Sequence, residues 1–490
     1  MKHINIYKIF LLTAFAAVSC NGDLDIVQDN KLSASNMWKN STDVIQSTHG
    51  IYERMRANFV QDEINVFYWG EARVGDFMWG PSLESRVQNN NMISVRTSTM
   101  SSSTSSAGWS KLYTTIDQAN AVLKYAPKVE MTDSERAFAI GQAAFARAYC
   151  YFWAVRLWGD VPLNLVPIES TTQPETYPER APKANVYEQI GKDIETALAS
   201  GPAVGTNKYF ATADAVNMLK AEYALWMYST QEGGDSYLNL AQEALDAIGI
   251  SSANLLDNYS DIFSRTNKVN KEVVFALRND QQENLKGGYY NYFYHPGNLI
   301  SSKYQNSPVP ISSTQWWSYS QQFIDMLEKS KNDNGDRRVD CNLGIGEYGA
   351  SGQTISWPNK FLGDMSKQPV VLDCDLLYYR YALAVMMDAE LKYYKKDYAG
   401  ALKSLNLIAK RAYGKDNFYT EANRDTVLSA LVNEYFLEFP AEGVIWWALI
   451  RLDKIWDYNP QQTNKNILLW PITASARNKN HKLTQTEGWN

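Results

Sequence analysis

Two stretches of the chain place large aromatic side chains among loop-forming residues. Trp69 and Trp79 lie with Arg73 and Asn90 in residues 59–96, and Tyr289, Tyr290, Asn291, Tyr292, Trp316 and Trp317 lie in residues 280–320. Trp and Tyr rings are flat, rigid and apolar with a polar tip. Such a ring stacks on the C–H face of a sugar, while neighbouring Asn and Arg groups bond its hydroxyls. These ten residues form the candidate ligand-binding set. A stacking aromatic contributes about 1–3 kcal/mol, by analogy with bases on aromatic side chains. Replacing Trp316 and Trp317 together is therefore expected to weaken binding about tenfold or more with little change in stability.

Other chemistries find little support. The histidines, His3, His49, His295 and His481, are scattered and offer neither a metal set nor a triad. Cys20, Cys150, Cys341 and Cys374 show no CxxC spacing. No GxSxG, phosphate-cradling glycine loop or HExxH is present. Asp333, Asn334, Gly335 and Asp336 suggest a calcium loop, but Arg337 and Arg338 stand where ligands would fall, so a turn salt-bridged to the arginines is expected. No cofactor and no metal are expected. With 53 acidic residues, a glycosidase-like carboxylate pair arises by chance and shows nothing about hydrolysis. The net charge of −6 argues against a nucleic-acid partner. Three classes remain: a carbohydrate-binding protein, an enzyme acting on the same glycans, and a helical-repeat adaptor for peptide or protein.

The scaffold that must hold those loops is helical. Thr132 and Glu135 are spaced as a capping box for a helix that Gly159 and Pro162 close. Within it Ala137, Gly141, Ala144 and Ala148 make one small-residue stripe, and Phe138, Phe145 and Phe152 make another that is aromatic. A helix so apolar belongs inside a helical domain. Further helices are expected from about Thr42, over Trp109–Tyr125 and after a second capping box at Asn185 and Glu188. Two helix pairs, about 212–229 with 236–249 and about 375–395 with 398–412, look like tetratricopeptide units, with Ala241 and Ala401 at close-approach positions. VVFAL at 273–277 reads as a short strand. The fold expected is mostly α, a tetratricopeptide-like scaffold over about 41–58, 109–250 and 373–450, with loop-rich insertions at 59–108 and 251–372 carrying a few short strands.

Met1–Cys20 reads as an export signal: Lys2 and Lys8, an apolar run from Ile9 to Val18, then small residues before Cys20. AAVSC resembles a lipoprotein cleavage box, which makes residues 1–19 the signal, Cys20 the acylated first residue and 20–40 a lipidated tether. Residues 41–490 then form a single domain.

The segment ARAYCYFWAVRLWGDVPL, residues 146–163, resembles the signature of the SusD/RagB family of nutrient-binding lipoproteins. NDNGDRRVD at 332–340, DLLYYRYALAVMMDAE at 375–390, NILLWPI at 466–472 and LTQTEGW at 483–489 are similar to further stretches of that family. VNEYFLEFPAEGVIWWALIR at 432–451 keeps Glu434, Glu438, Glu442 and Gly443 but lacks the arginines usual around them. The resemblance implies a lipid-anchored outer-membrane protein at the cell surface that binds oligosaccharide without catalysis and delivers it to a TonB-dependent, SusC-like transporter. RagB-like relatives imply the alternative of a peptide ligand, and a surface glycoside hydrolase is a further one.

Overall fold

The structure, a computed structural model, describes residues 37–60, 66–80, 90–201, 207–280, 292–294, 300–301, 315–348, 352–364, 366–367, 371–459 and 465–489. The expected lipidation site Cys20 lies outside them. The chain is mostly helical, as the periodicity predicts. Helix α1 spans Ser41–Val60; α2, Val66–Gly70, and α3, Asn90–Arg96, are short; α4 spans Ser110–Tyr125, α5 Asp133–Trp158 and α6 Lys183–Ala199. Helices α7, Ala213–Thr230, and α8, Asp235–Ile248, form one tetratricopeptide-like pair. Helix α9 spans Gln321–Asn334; α10, Tyr381–Tyr394, and α11, Tyr398–Tyr413, form the other pair; α12 spans Arg424–Glu438, α13 Ile445–Arg451 and α14 Ala474–Lys479. Neighbours pack in chain order, α1 on α4 and α5, then α5 on α6, α6 on α7, α7 on α8, α8 on α10, α10 on α11 and α11 on α12. Among the described residues no helix is long and apolar enough to cross a membrane.

Helix α5 is the axis of this stack. Thr132 and Glu135 make the capping box, and Gly159 ends the helix at φ 71°. Every residue from Ala143 to Trp158 is buried. Burial includes two arginines, which the apolar pattern alone leaves unexplained. Arg147 donates to both oxygens of Asp193 on α6 at 2.8 and 2.6 Å and to Asn120 on α4, so one guanidinium ties three helices together. Arg156 reaches Glu222 on α7 at 2.6 Å.

Several expectations are corrected. The second capping box does not form, because α6 starts at Lys183 after Pro182 and the Lys183 N–H is met by Asp160 at 2.8 Å. Residues 376–380 are strand instead of helix. That apolar run has no decisive period, and pairing decides it: β7, Leu376–Arg380, runs antiparallel to β2, Val273–Leu277, the strand the sequence predicts. Helix α9 sits inside the segment expected to be loop, where Ser320 caps it, Gly335 closes it at φ 70°, and Phe323, Ile324 and Leu327 bury one face.

A knot of buried charge joins the last helices to the insertion. Arg338 donates to Asp336, Glu434 and Glu438, with Glu434 at 2.6 Å. Arg380 reaches Glu442 at 2.8 Å, Glu438 at 2.6 Å and Glu272 at 3.3 Å. Arg411 pairs with Glu272 at 2.7 Å and with Glu438, while Lys360 pairs with Glu442 at 2.8 Å. The arginines missing around Glu434, Glu438 and Glu442 in the sequence therefore arrive from distant segments. Burial alone would raise the Glu438 pKa, but Arg411, Arg380 and Arg338 outweigh it and hold the carboxyl at about 2. The Asp336–Arg338 pair at 2.9 Å is the salt-bridged turn expected in place of a calcium loop, whereas Asp333 pairs with Lys329. No cluster able to hold a metal ion occurs among the described residues.

Candidate functional site

The two aromatic stretches, separated by the 183 residues 97–279, are brought together by one small sheet. Strand β1, Phe77–Trp79, pairs antiparallel with β4, Trp317–Tyr319, so that Trp79 opposes Trp317. The pairing continues past the strand ends, where the Gly80 N–H donates to the Trp316 carbonyl at 2.8 Å. A Cβ at Gly80 would lie 2.6 Å from the Gln315 carbonyl oxygen, so only glycine permits this approach. On its other side Trp316 donates its N–H to the Tyr292 carbonyl at 2.8 Å. Gln315 donates to the carbonyls of Phe293 at 2.8 Å and Ser356 at 2.6 Å, and Ser318 and Ser356 share a hydrogen bond at 3.0 Å. Ser356 belongs to β6, Gln353–Pro358, which pairs with β5, Leu343–Tyr348, and β5 in turn with β3, Ile300–Ser301.

This frame sorts the aromatics by side. Successive residues in extended chain face opposite ways, and both aromatic pairs obey it. Trp317 is 1% exposed and packs edge-on against Phe67 and Tyr68, with ring centres at 5.3 and 5.4 Å. Phe293 is fully buried against Phe67 and Phe77. Their neighbours Trp316 and Tyr292 point the other way, remain partly exposed and stack on each other, with ring centres 3.9 Å apart and planes inclined by 26°. The Trp316 indole N–H donates to no described residue.

Three of the expected contact residues are core instead. Trp69 is 1% exposed and donates its indole N–H to the Ser106 carbonyl at 2.9 Å. Arg73 is equally buried, lies 4.4 Å over the Trp446 ring, and donates to the carbonyls of Leu468, at 3.0 Å, and Ile467. Trp317 completes the three, so removing it would empty a packed site, and the double replacement of Trp316 and Trp317 cannot leave stability untouched. Loop composition placed these residues near the surface, but a large aromatic in a loop is also what roofs a core. The period-2 rule applied to the Trp316–Trp317 dipeptide is the signal that separates the two. Trp79 lies at the end of β1 and Asn90 at the start of α3. Tyr289, Tyr290 and Asn291 fall outside the described residues. Of the candidate set, Tyr292 and Trp316 are the pair whose described rings stack at the surface.

Beneath β1 lies a buried acid pair that the sequence analysis did not single out. Glu71 accepts from the N–H of Ala441 and, at 2.7 Å, of Gly443, at a turn so close to α2 that a Cβ on Gly70 would lie 2.0 Å from the Gly443 oxygen. Burial first, then the charge of Asp76, pushes the Glu71 carboxyl well above its usual range. Burial likewise raises Asp76, to about 6.

A family model described as "Starch-binding associating with outer membrane" matches residues 24–221, and one described as "SusD family" matches residues 318–489. The chain belongs to the SusD/RagB family. It is similar to a SusD-like protein, P38, of Formosa agariphila, with 23% identity over 99% of this chain and 98% of that one. Its fold is that of a SusD superfamily protein from Bacteroides fragilis, at a TM-score of 0.77 and 22% identity over 92% of this chain and 100% of the other. A protein described as a laminarin-binding SusD-like protein superposes at a TM-score of 0.74 with 20% identity, covering 92% of this chain and 100% of that chain.

Proposed function

We propose that this SusD/RagB-family chain is a non-catalytic glycan-binding protein of the outer-membrane surface. In this reading Cys20 carries the lipid anchor, the stacked pair Tyr292–Trp316 receives an oligosaccharide, and the captured chain passes to a TonB-dependent, SusC-like transporter. The observation that carries it is the Tyr292–Trp316 pair itself, two partly exposed rings fixed on a hydrogen-bonded sheet edge, with an unused indole donor beside them. Rings already held in place lose little conformational freedom when a sugar stacks on them. Support for a glycan comes from the family description as starch-binding and from the structural relative described as laminarin-binding.

The test is calorimetric binding of a glycan panel, laminarin included, to wild type and to Trp316→Ala. Binding in the first and a loss of about tenfold or more in the second supports the reading. Equal affinity in both moves the ligand elsewhere. Turnover of the bound glycan would make the protein an enzyme instead. For the anchor, Cys20→Ala should release the protein from the outer-membrane fraction or leave it unprocessed.

A further inference from the structure

A cleft of about 750 Å³, sharing no lining residue with the Tyr292–Trp316 platform, opens between α4, the segment 162–178 and α14. That volume lies within the roughly 300–1,000 Å³ of small-ligand sites. Its walls include Trp109, Tyr113 and Tyr177, and Tyr177 is 49% exposed although large and apolar. Ser102, Ser103 and Thr104, from the Ser/Thr-rich run that reads as loop in the sequence, form one rim. Helix α3 lies between the two places, packing on β1 on one side and on the turn at Ser105–Ala107 on the other. Two contacts hold that turn: Trp69 donates to the Ser106 carbonyl, and Asn91 donates to the Ser106 hydroxyl at 2.7 Å.

Most polar groups that line this cleft are bonded within the fold, as when the Tyr113 hydroxyl donates to the Pro162 carbonyl at 2.7 Å and Asn120 donates to the Asn164 carbonyl at 3.0 Å, but a few are not. Asp117 spends one oxygen on the Ile168 N–H at 2.7 Å, and its second has no hydrogen-bond partner. The Asn164 carboxamide and the Trp109 indole N–H have none among the described residues, and Arg54 and Lys479 make no ion pair there. This set mixes acceptors and donors of both charges. An anionic ligand would meet Asp117 and a cationic one Arg54 and Lys479, whereas hydroxyl groups, each both donor and acceptor, satisfy all of them. Aromatic faces beside such a set suit the C–H side of a pyranose ring.

We infer that this cleft is a second saccharide-binding site, taking a short neutral oligosaccharide independently of the Tyr292–Trp316 platform. Two such sites on one body raise the effective concentration of a long glycan at each. The site goes beyond the proposed function and stands or falls separately from it.

The experiment is calorimetry on the full chain in detergent, with neutral tetrasaccharides and mixed unstructured peptides as probes. It compares wild type, Trp316→Ala, and the double variant Asn164→Ala/Tyr177→Ala, whose altered side chains are partly exposed, so folding should survive; matching melting curves verify this. An oligosaccharide that keeps its affinity in Trp316→Ala and loses about tenfold or more in the cleft variant establishes the second site. Loss in Trp316→Ala alone overturns it while leaving the platform intact. Binding of peptides but of no oligosaccharide, or no effect of the cleft variant on any probe, also overturns it.

Discussion

The charge knot around Glu438 and the acid pair beneath the proposed ligand platform both bury ionisable groups, and they do so with opposite electrostatics. In the knot each carboxylate faces arginine or lysine, and the Glu438 carboxyl is held down at about 2. Under β1, Glu71 and Asp76 face each other, and both carboxyls are raised. The lesson is that burial alone sets neither the charge nor the pH response of a site. What it packs against does. The knot ties the turn after α9, strand β7, α11 and α12 into one body, whereas the sheet above the acid pair presents rings to solvent.

The largest effects should come from breaking the knot. Glu438→Gln leaves three arginines short of a buried partner and should cost about 3–5 kcal/mol of stability in denaturant titration. Because the folded Glu438 pKa is depressed, its contribution is present above the unfolded value near pH 4 and lost as pH falls towards about 2; the variant should lack that part of the acid transition. A comparable loss, about 3–5 kcal/mol, is expected of Trp317→Ala, the buried half of the aromatic dipeptide, and of Phe145→Ala on α5. A melting temperature equal to wild type in either would remove that residue from the core.

Trp316→Ala tests the other side of the comparison. It should weaken glycan binding by about 1–3 kcal/mol while the melting temperature stays within about 2 °C. A destabilised protein with intact binding would reverse the assignment of the two tryptophans.

The smallest effect belongs to the acid pair. Its raised pKa makes its contribution to stability fullest below about pH 4, and that contribution is lost as pH rises through about 6. Asp76→Asn should flatten this fall by on the order of 1 kcal/mol in melts taken across that window. A variant whose pH profile overlays wild type there would show that the pair does not titrate in it.

How much was legible in the sequence depends on whether the deciding contact is local. Capping at Thr132 and Glu135, the stop at Gly159, both tetratricopeptide-like pairs and strand β2 were readable, because hydrogen bonds within a few residues and a 3.6 or 2.0 period fix them. The family was legible from linear motifs for the same reason. Tertiary structure alone decided that Leu376–Arg380 is a strand, since only β2 supplies its partner across about a hundred residues of chain. It also decided that Glu434, Glu438 and Glu442 find their arginines at 338, 380 and 411. The candidate binding aromatics fall between these cases. Composition located the two stretches, but an aromatic ring that roofs a core and one that meets a ligand are the same residue in sequence. They differ only in which face of β1 and β4 the fold covers, and that depends on Phe67, Tyr68 and Phe293 packing against one side of the sheet and leaving Trp316 and Tyr292 on the other.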